Sequence, residues 1–579
     1  MPTKNLLLVC VVVLISMPLA CSFFKPKAKA DRPPPPAPAP AVPEEVLGTM
    51  AEYAVVVSGG ELAVDGYGLV VGLGKNGSSE CPPAIEGYLI ECLKKSGMGS
   101  PLAGTADLQP KTIIRDLDTA VVAVRGEIPP GAAKGDRFDV TVTCPPVTQT
   151  RNLDGGLLMP TELKRATGSE PIVVPGRTGG KVMAMSGGAV FLNPFLDIGK
   201  PSDKGKLRAG RIIGGGVSLE ARAVIVQLYQ PDHGRLRRLR DRINERFPAP
   251  RGGVEAAKGV GNQIIELTVP AAYRDDIDHF TQLVMHLPLV GTGGQVEQHA
   301  LRVGAMMEGA TLRHEDLAMI LEAMGQPAEG VLRSLYTSAN PIAAYFAART
   351  GLRLGDAVAV DAMLKHASSS SKYQIQAIEE LGRRREVYRA GALLRSLLDD
   401  ENNMVRLAAY EALLRRNDPY ISSLNMDNDF KIDIIPSTRD FMIYARQSGQ
   451  ARIALFGKRM PVTCPMFYNA PDDLLTVNAR AGDKQLMMFR KVPRTGQISS
   501  RFYCDFSVVD MITLWGKRPE MGVDQQVEGM GLTYGQIVGS LSRMCKEGDI
   551  PARFVLQEMP DVRKISEGST GAGRPDLSE

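Results

Sequence analysis

The chain is poor in the residues that catalytic and metal sites are built from. Its 579 residues include six histidines and a single tryptophan, Trp515. His314-Glu315-Asp316 breaks the H-E-x-x-H frame of a zinc protease, and no G-x-S-x-G elbow occurs. None of the eight cysteines stands in C-x-x-C, which removes the commonest zinc and redox spacings. Asn425-Met426-Asp427-Asn428-Asp429 starts like a calcium loop, but Phe430 replaces the required glycine and Pro436 the closing glutamate, so it reads as a plain loop. Net charge is also lacking: 68 basic residues against 64 acidic leave +4, too little for a nucleic-acid or polybasic membrane surface. No enzymatic activity, cofactor, metal or nucleic-acid partner is expected.

A long apolar run is missing as well. Leu6 to Leu19 is almost wholly apolar but too short for a comfortable membrane span, and Lys4 precedes it. This is the pattern of an export signal over residues 1–20. It ends in Leu19-Ala20-Cys21, which resembles a lipobox with Pro18 where leucine is usual, and predicts lipidation of Cys21; ordinary cleavage near Ala20 is the alternative. Ser22 after the cysteine points to the outer membrane. Residues 21–45 then form a tether in which PPPPAPAPAVP (33–43) favours extended polyproline, at ~3.1 Å per residue. Beyond the signal and Cys21, the cysteines are Cys81, Cys92, Cys144, Cys464, Cys504 and Cys545. Disulfides are permitted in an oxidising periplasm, and Cys81–Cys92 is the pair nearest in sequence; buried free thiols are the alternative.

What the chain has in quantity is glycine among short apolar runs. Val64-Asp65-Gly66-Tyr67-Gly68-Leu69-Val70-Val71-Gly72-Leu73 places Gly66, Gly68 and Gly72 inside a strand pattern, where they mark bends, bulges or close backbone approach. Thr119 to Arg125 (TAVVAVR) is β-branched and reads as a buried strand. Phe138 to Val142 alternates apolar and polar, the period of a half-buried strand. Gly72-Leu73-Gly74-Lys75-Asn76-Gly77 fits G-x-G-x-x-G, but Ser78 to Pro83 separates it from the next expected helix, Ala84 to Lys95, so a turn is predicted rather than a dinucleotide site.

These segments, taken in order with Glu127-Ile128-Pro129-Pro130, Lys134-Gly135-Asp136, Asn152 to Met159 and Thr161-Glu162-Leu163, resemble the flagellar basal-body P-ring protein family over about residues 60 to 290. Ala221 to Tyr229, Gly234 to Phe247, Gln263 to Val269 and Arg274 to His286 read as strand, helix, strand, helix, and resemble the next part of that family through Asp241-Arg242-Ile243-Asn244. Arg235, Arg237, Arg238, Arg240 and Arg242 share the first helix with Leu236, Leu239 and Ile243, the spacing of a solvated amphipathic helix. At about Val290 the resemblance stops. The family usually carries a cleaved signal without lipid, and continues in β-rich sequence where this chain turns helical.

The remainder divides by composition. Residues 291–420 are rich in Ala and Leu, and Ala377…Leu381 recurs as Ala409…Leu413, about 32 residues on, after the turn Asp399 to Asn402. This is similar to a HEAT-type helical array; a general helical bundle is the alternative. Residues 421–566 carry expected strands at Ile453 to Phe456, Leu474 to Val477, Gln485 to Phe489 and Phe502 to Val509, and a helix at Tyr534 to Lys546; residues 567–579 read as a polar tail.

The expected fold is therefore a multidomain α+β chain: a β-rich domain at 46–210, a β-α-β-α domain at 211–290, the helical region and a C-terminal α+β domain. The resemblance implies a structural subunit that homo-oligomerises into a ring around the flagellar rod in the periplasm, beside neighbouring ring proteins. Glycine-rich strands with exposed edges would supply ring contacts by strand addition. The alternative is an outer-membrane lipoprotein scaffold that binds a protein partner through its helical and C-terminal domains without forming a ring.

Overall fold

A computed structural model describes residue 43 and residues 46–558, apart from 58–59, 99–108, 167–179, 197–199, 290–292, 310–311, 428–429, 493–495 and 522–526. The signal, Cys21, nearly all of the tether and the polar tail lie outside these residues. The described architecture is mixed α+β in several packed bodies.

The first strand, β1 (Ala54–Val56), precedes a closed six-stranded barrel made of β2 (Leu62–Val71), β3 (Thr119–Ile128), β4 (Arg137–Thr143), β5 (Leu157–Arg165), β6 (Val182–Ala189) and β7 (Ala209–Ser218). The strands follow one another in the order β2-β3-β4-β7-β6-β5, with every pairing antiparallel. Val64, Val122, Val124, Val140, Val142, Leu158 and Leu163 fill the interior. Helix α1 (Pro83–Lys95) and the short α2 (Pro110–Ile114) cover the outer face of β2 and β3, where Leu69 and Val121 meet Ile85, Leu89, Leu93 and Ile114. Burial on both faces makes β3 an unbroken apolar run, because neither side of the pleat meets water.

A four-stranded antiparallel sheet follows, in the order β1-β8-β10-β9, from β8 (Val224–Leu228), β9 (Ala257–Val260) and β10 (Ile264–Leu267). Since β1 pairs with β8, the barrel is inserted between two neighbouring strands of this second sheet. Helices α3 (His233–Arg246) and α4 (Ile277–Met285) supply Leu236, Leu239, Ile243, Phe280, Leu283 and Val284 to its core. Asp232 caps α3 by accepting from the Gly234 and Arg235 amides. Arg237 and Arg238 are exposed, as an amphipathic helix requires.

Helices then run from α5 (Gly293–Glu308) and α6 (His314–Met324) through α7 (Glu329–Leu335), α8 (Pro341–Leu354), α9 (Ala357–Ser368), α10 (Gln374–Arg383) and α11 (Tyr388–Ser396) to α12 (Asn403–Arg415). The recurring segments fall on α10 and α12, which pack closely: a Cβ on Gly382 would lie 2.7 Å from Ala412 Cα. Helix α6 also reaches back, placing Met319 and Ala323 in the core of the preceding sheet.

The C-terminal body has two sheets. One is five-stranded and mixed, built from β11 (Ser422–Met426), β12 (Phe430–Ile435), β13 (Met442–Ala445), β14 (Arg452–Phe456) and the last strand of the chain. The other is four-stranded and antiparallel: β15 (Met466–Asn469), β16 (Leu475–Ala479), β17 (Leu486–Arg490) and β18 (Phe502–Cys504). Helix α13 (Val508–Gly516), a hairpin of β19 (Glu520–Met521) and β20 (Val527–Glu528), α14 (Tyr534–Glu547) and β21 (Arg553–Leu556) complete it. The expected strand at Phe502 to Val509 ends at Cys504, because Ser507 accepts from the Asp510 amide and starts α13 at Val508. The calcium-like segment belongs to the β11–β12 hairpin, with Asp427 at φ +46°.

Candidate functional site

Gly66, Gly68 and Gly72 all lie on or just past β2, but only the first two occupy crowded positions. A Cβ on Gly66 would sit 2.4 Å from the Glu162 carbonyl oxygen of β5. One on Gly68 would sit 2.4 Å from Thr161 Oγ1 and 2.8 Å from Leu158 Cδ1. The β2–β5 register shifts between Asp65 and Val70, so these glycines serve the seam that closes the barrel. Strand β2 is paired with β3 on one side and β5 on the other. It therefore has no free edge, and ring contacts by strand addition along this glycine-rich strand do not fit. Among the described residues, the sheet edges lie elsewhere, on β1 and β9, on β11 and β21, on β15 and β18, and on the β19–β20 hairpin.

Gly72 (φ +84°) and Gly74 (φ +65°) adopt left-handed backbone and begin a turn instead of a helix. The Gly74 amide donates to Asp118 Oδ1 at 2.6 Å, and the Gly77 amide to the Leu117 carbonyl at 2.9 Å. The third glycine of the G-x-G-x-x-G match is thus tied to the β3 entrance, and α1 begins only at Pro83.

Cys81, Cys92, Cys144, Cys464, Cys504 and Cys545 are free thiols. Burial pushes Cys81 and Cys144 up to about 11, and Cys504 and Cys545 up to about 12. These four remain protonated and weakly nucleophilic at neutral pH. The described residues hold no group of three or more His, Cys, Asp or Glu suited to a metal ion, and no helix among them is long and apolar enough to cross a membrane.

Several buried polar side chains serve junctions between bodies. His279 of α4 places Nε2 2.6 Å from Glu322 Oε1 of α6. Arg353 of α8 donates through Nη1 to His279 Nδ1 at 2.9 Å, and through Nε to Glu380 Oε2 of α10 at 3.0 Å. Burial opposes the charge on Glu380, but Arg353 outweighs it and holds the carboxyl down at about 2. Glu322 is lowered by the same balance, burial against His279 and Arg353.

Arginines also staple successive helix C-termini. Arg246 donates to the Ala323 and Glu322 carbonyls, Arg384 to the Arg353 carbonyl, and Arg416 to the Leu381 carbonyl. A guanidinium there satisfies carbonyls that the helix leaves open and complements its dipole. None of these residues stood out in the sequence, where each resembles a solvated charge.

Two further junctions involve the C-terminal body. Tyr410 of α12 donates to Asp433 Oδ2 of β12 at 2.7 Å, and Arg452 Nη1 donates to the same carboxylate at 2.8 Å. The C-terminal body then returns to the barrel: the Gly449 amide donates to Asp139 Oδ1 at 3.2 Å, and the Phe191 and Tyr534 rings lie 5.6 Å apart. This arrangement holds bodies in fixed relation. The charges of these junctions are committed to structure.

Residues 53–324 match the family model of the flagellar P-ring protein. Among similar proteins are the flagellar P-ring proteins of Thermotoga maritima, 30% identical over 38% of this chain and 60% of that protein, and of Geobacter metallireducens, 31% identical over 37% and 54%. That of Anaeromyxobacter sp. (strain K) is 30% identical over 40% and 57%. The chain thus spans 54% to 60% of the length of these relatives. The resemblance read from the sequence is established for the matched segment and extends past Val290. Its end at residue 324 coincides with the end of α6, the helix whose Met319 and Ala323 close the second sheet's core.

Proposed function

We propose that the protein is a structural subunit of the flagellar P-ring type, without catalytic activity, which assembles with copies of itself into a ring around the rod in the periplasm. The observation that carries this reading is the extent of the match. Residues 53–324 take in the closed barrel, the second sheet and α5–α6, a body with its own cores, rather than scattered motifs. A ring needs a heterologous interface whose rotation closes, and rigid bodies with fixed junctions suit that demand. Flanking ring proteins and the rod are its partners. Cys21 carries the lipid that anchors the N-terminus to the outer membrane, and residues 291–420 act as a short HEAT-type array.

The lipoprotein scaffold is kept as a second reading because an apolar row lies outside the matched segment. Phe467, Asn478, Met487 and Tyr503 fall in register across one face of the β15–β18 sheet, apolar but for Asn478, with Phe467 67% and Tyr503 56% exposed. Sedimentation of the purified mature protein, together with immunoblots of basal-body preparations, separates the two. A large closed assembly recovered in basal bodies is expected. A monomer absent from them would overturn the ring reading in favour of the scaffold.

A further inference from the structure

Three histidines lie where the second sheet meets the helical region, and their partners differ in kind. A ring nitrogen that faces a donor is the bare, accepting one, and a ring nitrogen that faces an acceptor carries a proton. At His279, Nδ1 accepts from Arg353 Nη1 at 2.9 Å, while Nε2 lies 2.6 Å from Glu322 Oε1. At His314, the first residue of α6, Nε2 lies 3.4 Å from the side-chain amide nitrogen of Asn340. Each of these rings has one nitrogen against a donor, so the neutral form fits. His286 is different. Its Nδ1 lies 2.8 Å from the Gln282 carbonyl oxygen, one turn back on α4, and its Nε2 lies 3.2 Å from Asp316 Oδ1 of α6. A carbonyl and a carboxylate both accept only, so this arrangement is complete only with a proton on each nitrogen.

The surroundings support that state. The His286 side chain is buried, and Arg313 Nη1 holds the other oxygen of Asp316 at 3.2 Å. Burial opposes the charge on Asp316, but His286 and Arg313 outweigh it and hold the carboxyl below its ordinary range. The other charges at this corner are engaged with one another or with backbone. Arg242 of α3 donates to the Pro288 carbonyl and to Glu245, Glu52 accepts from the Gly48 amide, and Glu315 accepts from Arg349.

We propose that His286 and Asp316 form a proton-operated latch between α4 and α6, closed while both ring nitrogens are protonated and released when one proton leaves to solvent. The bare nitrogen then faces either the Gln282 carbonyl or Asp316, and one of the two bonds is given up. Asp316 stays ionised above its lowered range, so the histidine sets the direction. Helix α6 is held at the acid end and loosens as pH rises through the range in which histidines titrate, roughly 5 to 8. What loosens is the helix that carries Met319 and Ala323 into the second sheet's core. The latch does not depend on ring formation. Hydrogen exchange of the full purified chain, read by mass spectrometry at about pH 5.5 and about pH 8.5 and corrected for intrinsic rates, tests it on either side of that range. Protection over residues 312–324 should fall by about tenfold between the two, the worth of one charge-assisted hydrogen bond, while residues 403–415 of α12 keep theirs. His286→Gln, whose carboxamide donates to Asp316 without titrating, should show equal protection at both values, and so should Asp316→Asn. His314→Gln should retain the change. A parent protein without the change, an equal fall over α12, a His286→Gln protein that keeps the change or a His314→Gln protein that loses it would each overturn the latch.

Discussion

Four glycines near the barrel seam can be ranked by what an added methyl group would meet. At Gly66 the obstacle is the Glu162 backbone carbonyl, 2.4 Å from the new Cβ. Backbone cannot rotate aside, so β2 and β5 must separate where the register already shifts. Overpacking of this kind costs typically about 1–3 kcal/mol, and Gly66→Ala belongs at the upper end. At Gly68 the nearest atoms are side-chain tips of Thr161 and Leu158, which can turn, so Gly68→Ala should cost about 1–2 kcal/mol. Gly72 meets nothing within 4 Å but sits at φ +84°, so its alanine variant carries only left-handed strain, about 1–2 kcal/mol. Gly87, inside α1 with nothing within 4 Å, should gain up to about 1 kcal/mol from alanine. At about 2–4 °C per kcal/mol for a unit of this size, Gly66→Ala should lower the melting transition by roughly 10 °C, while Gly87→Ala raises it by a few degrees. Scanning calorimetry of the four variants reads the order directly. A Gly66→Ala protein that melts with the parent, or below which Gly72→Ala falls, would refute the seam as the reason for these glycines. It follows that a Gly68/Gly72 double valine variant would lose assembly through a damaged barrel, and oligomer size alone would mislead.

Three further outcomes are expected. Glu380, held at about 2 against an unfolded value of about 4.3, and the lowered Glu322 contribute stability that is intact at neutral pH and is lost as pH falls from about 4.5 toward 2; Glu380→Gln should cost about 3 kcal/mol by stranding Arg353 and flatten that acid limb in urea titrations. Glu61 shows the opposite sign: its hydrogen bond to Glu127, with partial burial and the nearby Asp278 opposed by Arg222, raises it to about 7, so its contribution is full below about pH 4.3 and lost as pH rises to 7, and Glu61→Gln should remove that decline. A fragment of residues 46–324 should melt cooperatively in circular dichroism at a higher temperature than one of 46–290, because only the longer fragment retains Met319 and Ala323 in the second sheet's core; equal melting would disprove a core role for α6.

Local chemistry was the legible part of this chain. The β3 run and the alternation in β4 fixed strand identity because burial on two faces, or on one, writes itself into successive residues. Pairings across long separations left no such mark. Nothing local tells that Ala54–Val56 bypasses the barrel to pair with Val226–Leu228, or that β2 meets β5 and closes the cylinder. The junction cluster was invisible for the same reason. His279, Glu322, Arg353 and Glu380 sit on four helices, and each reads as a surface charge until packing removes the water around it. Helix α13 was misread because Phe502 to Val509 is aromatic and β-branched, and only the Ser507 cap argued otherwise.

The return contact between the C-terminal body and the barrel, where Gly449 meets Asp139 and Phe191 meets Tyr534, turns a string of bodies into a circuit. Barrel, second sheet, helices and C-terminal sheets each touch two others. Tension applied between any two of them has two routes, one through the peptide chain and the arginine staples, the other through the return contact. A string yields at its weakest joint, whereas a circuit yields only when both routes fail. Stiffness in this molecule is therefore a property of the loop as a whole, and cutting the return contact would soften joints far from the cut.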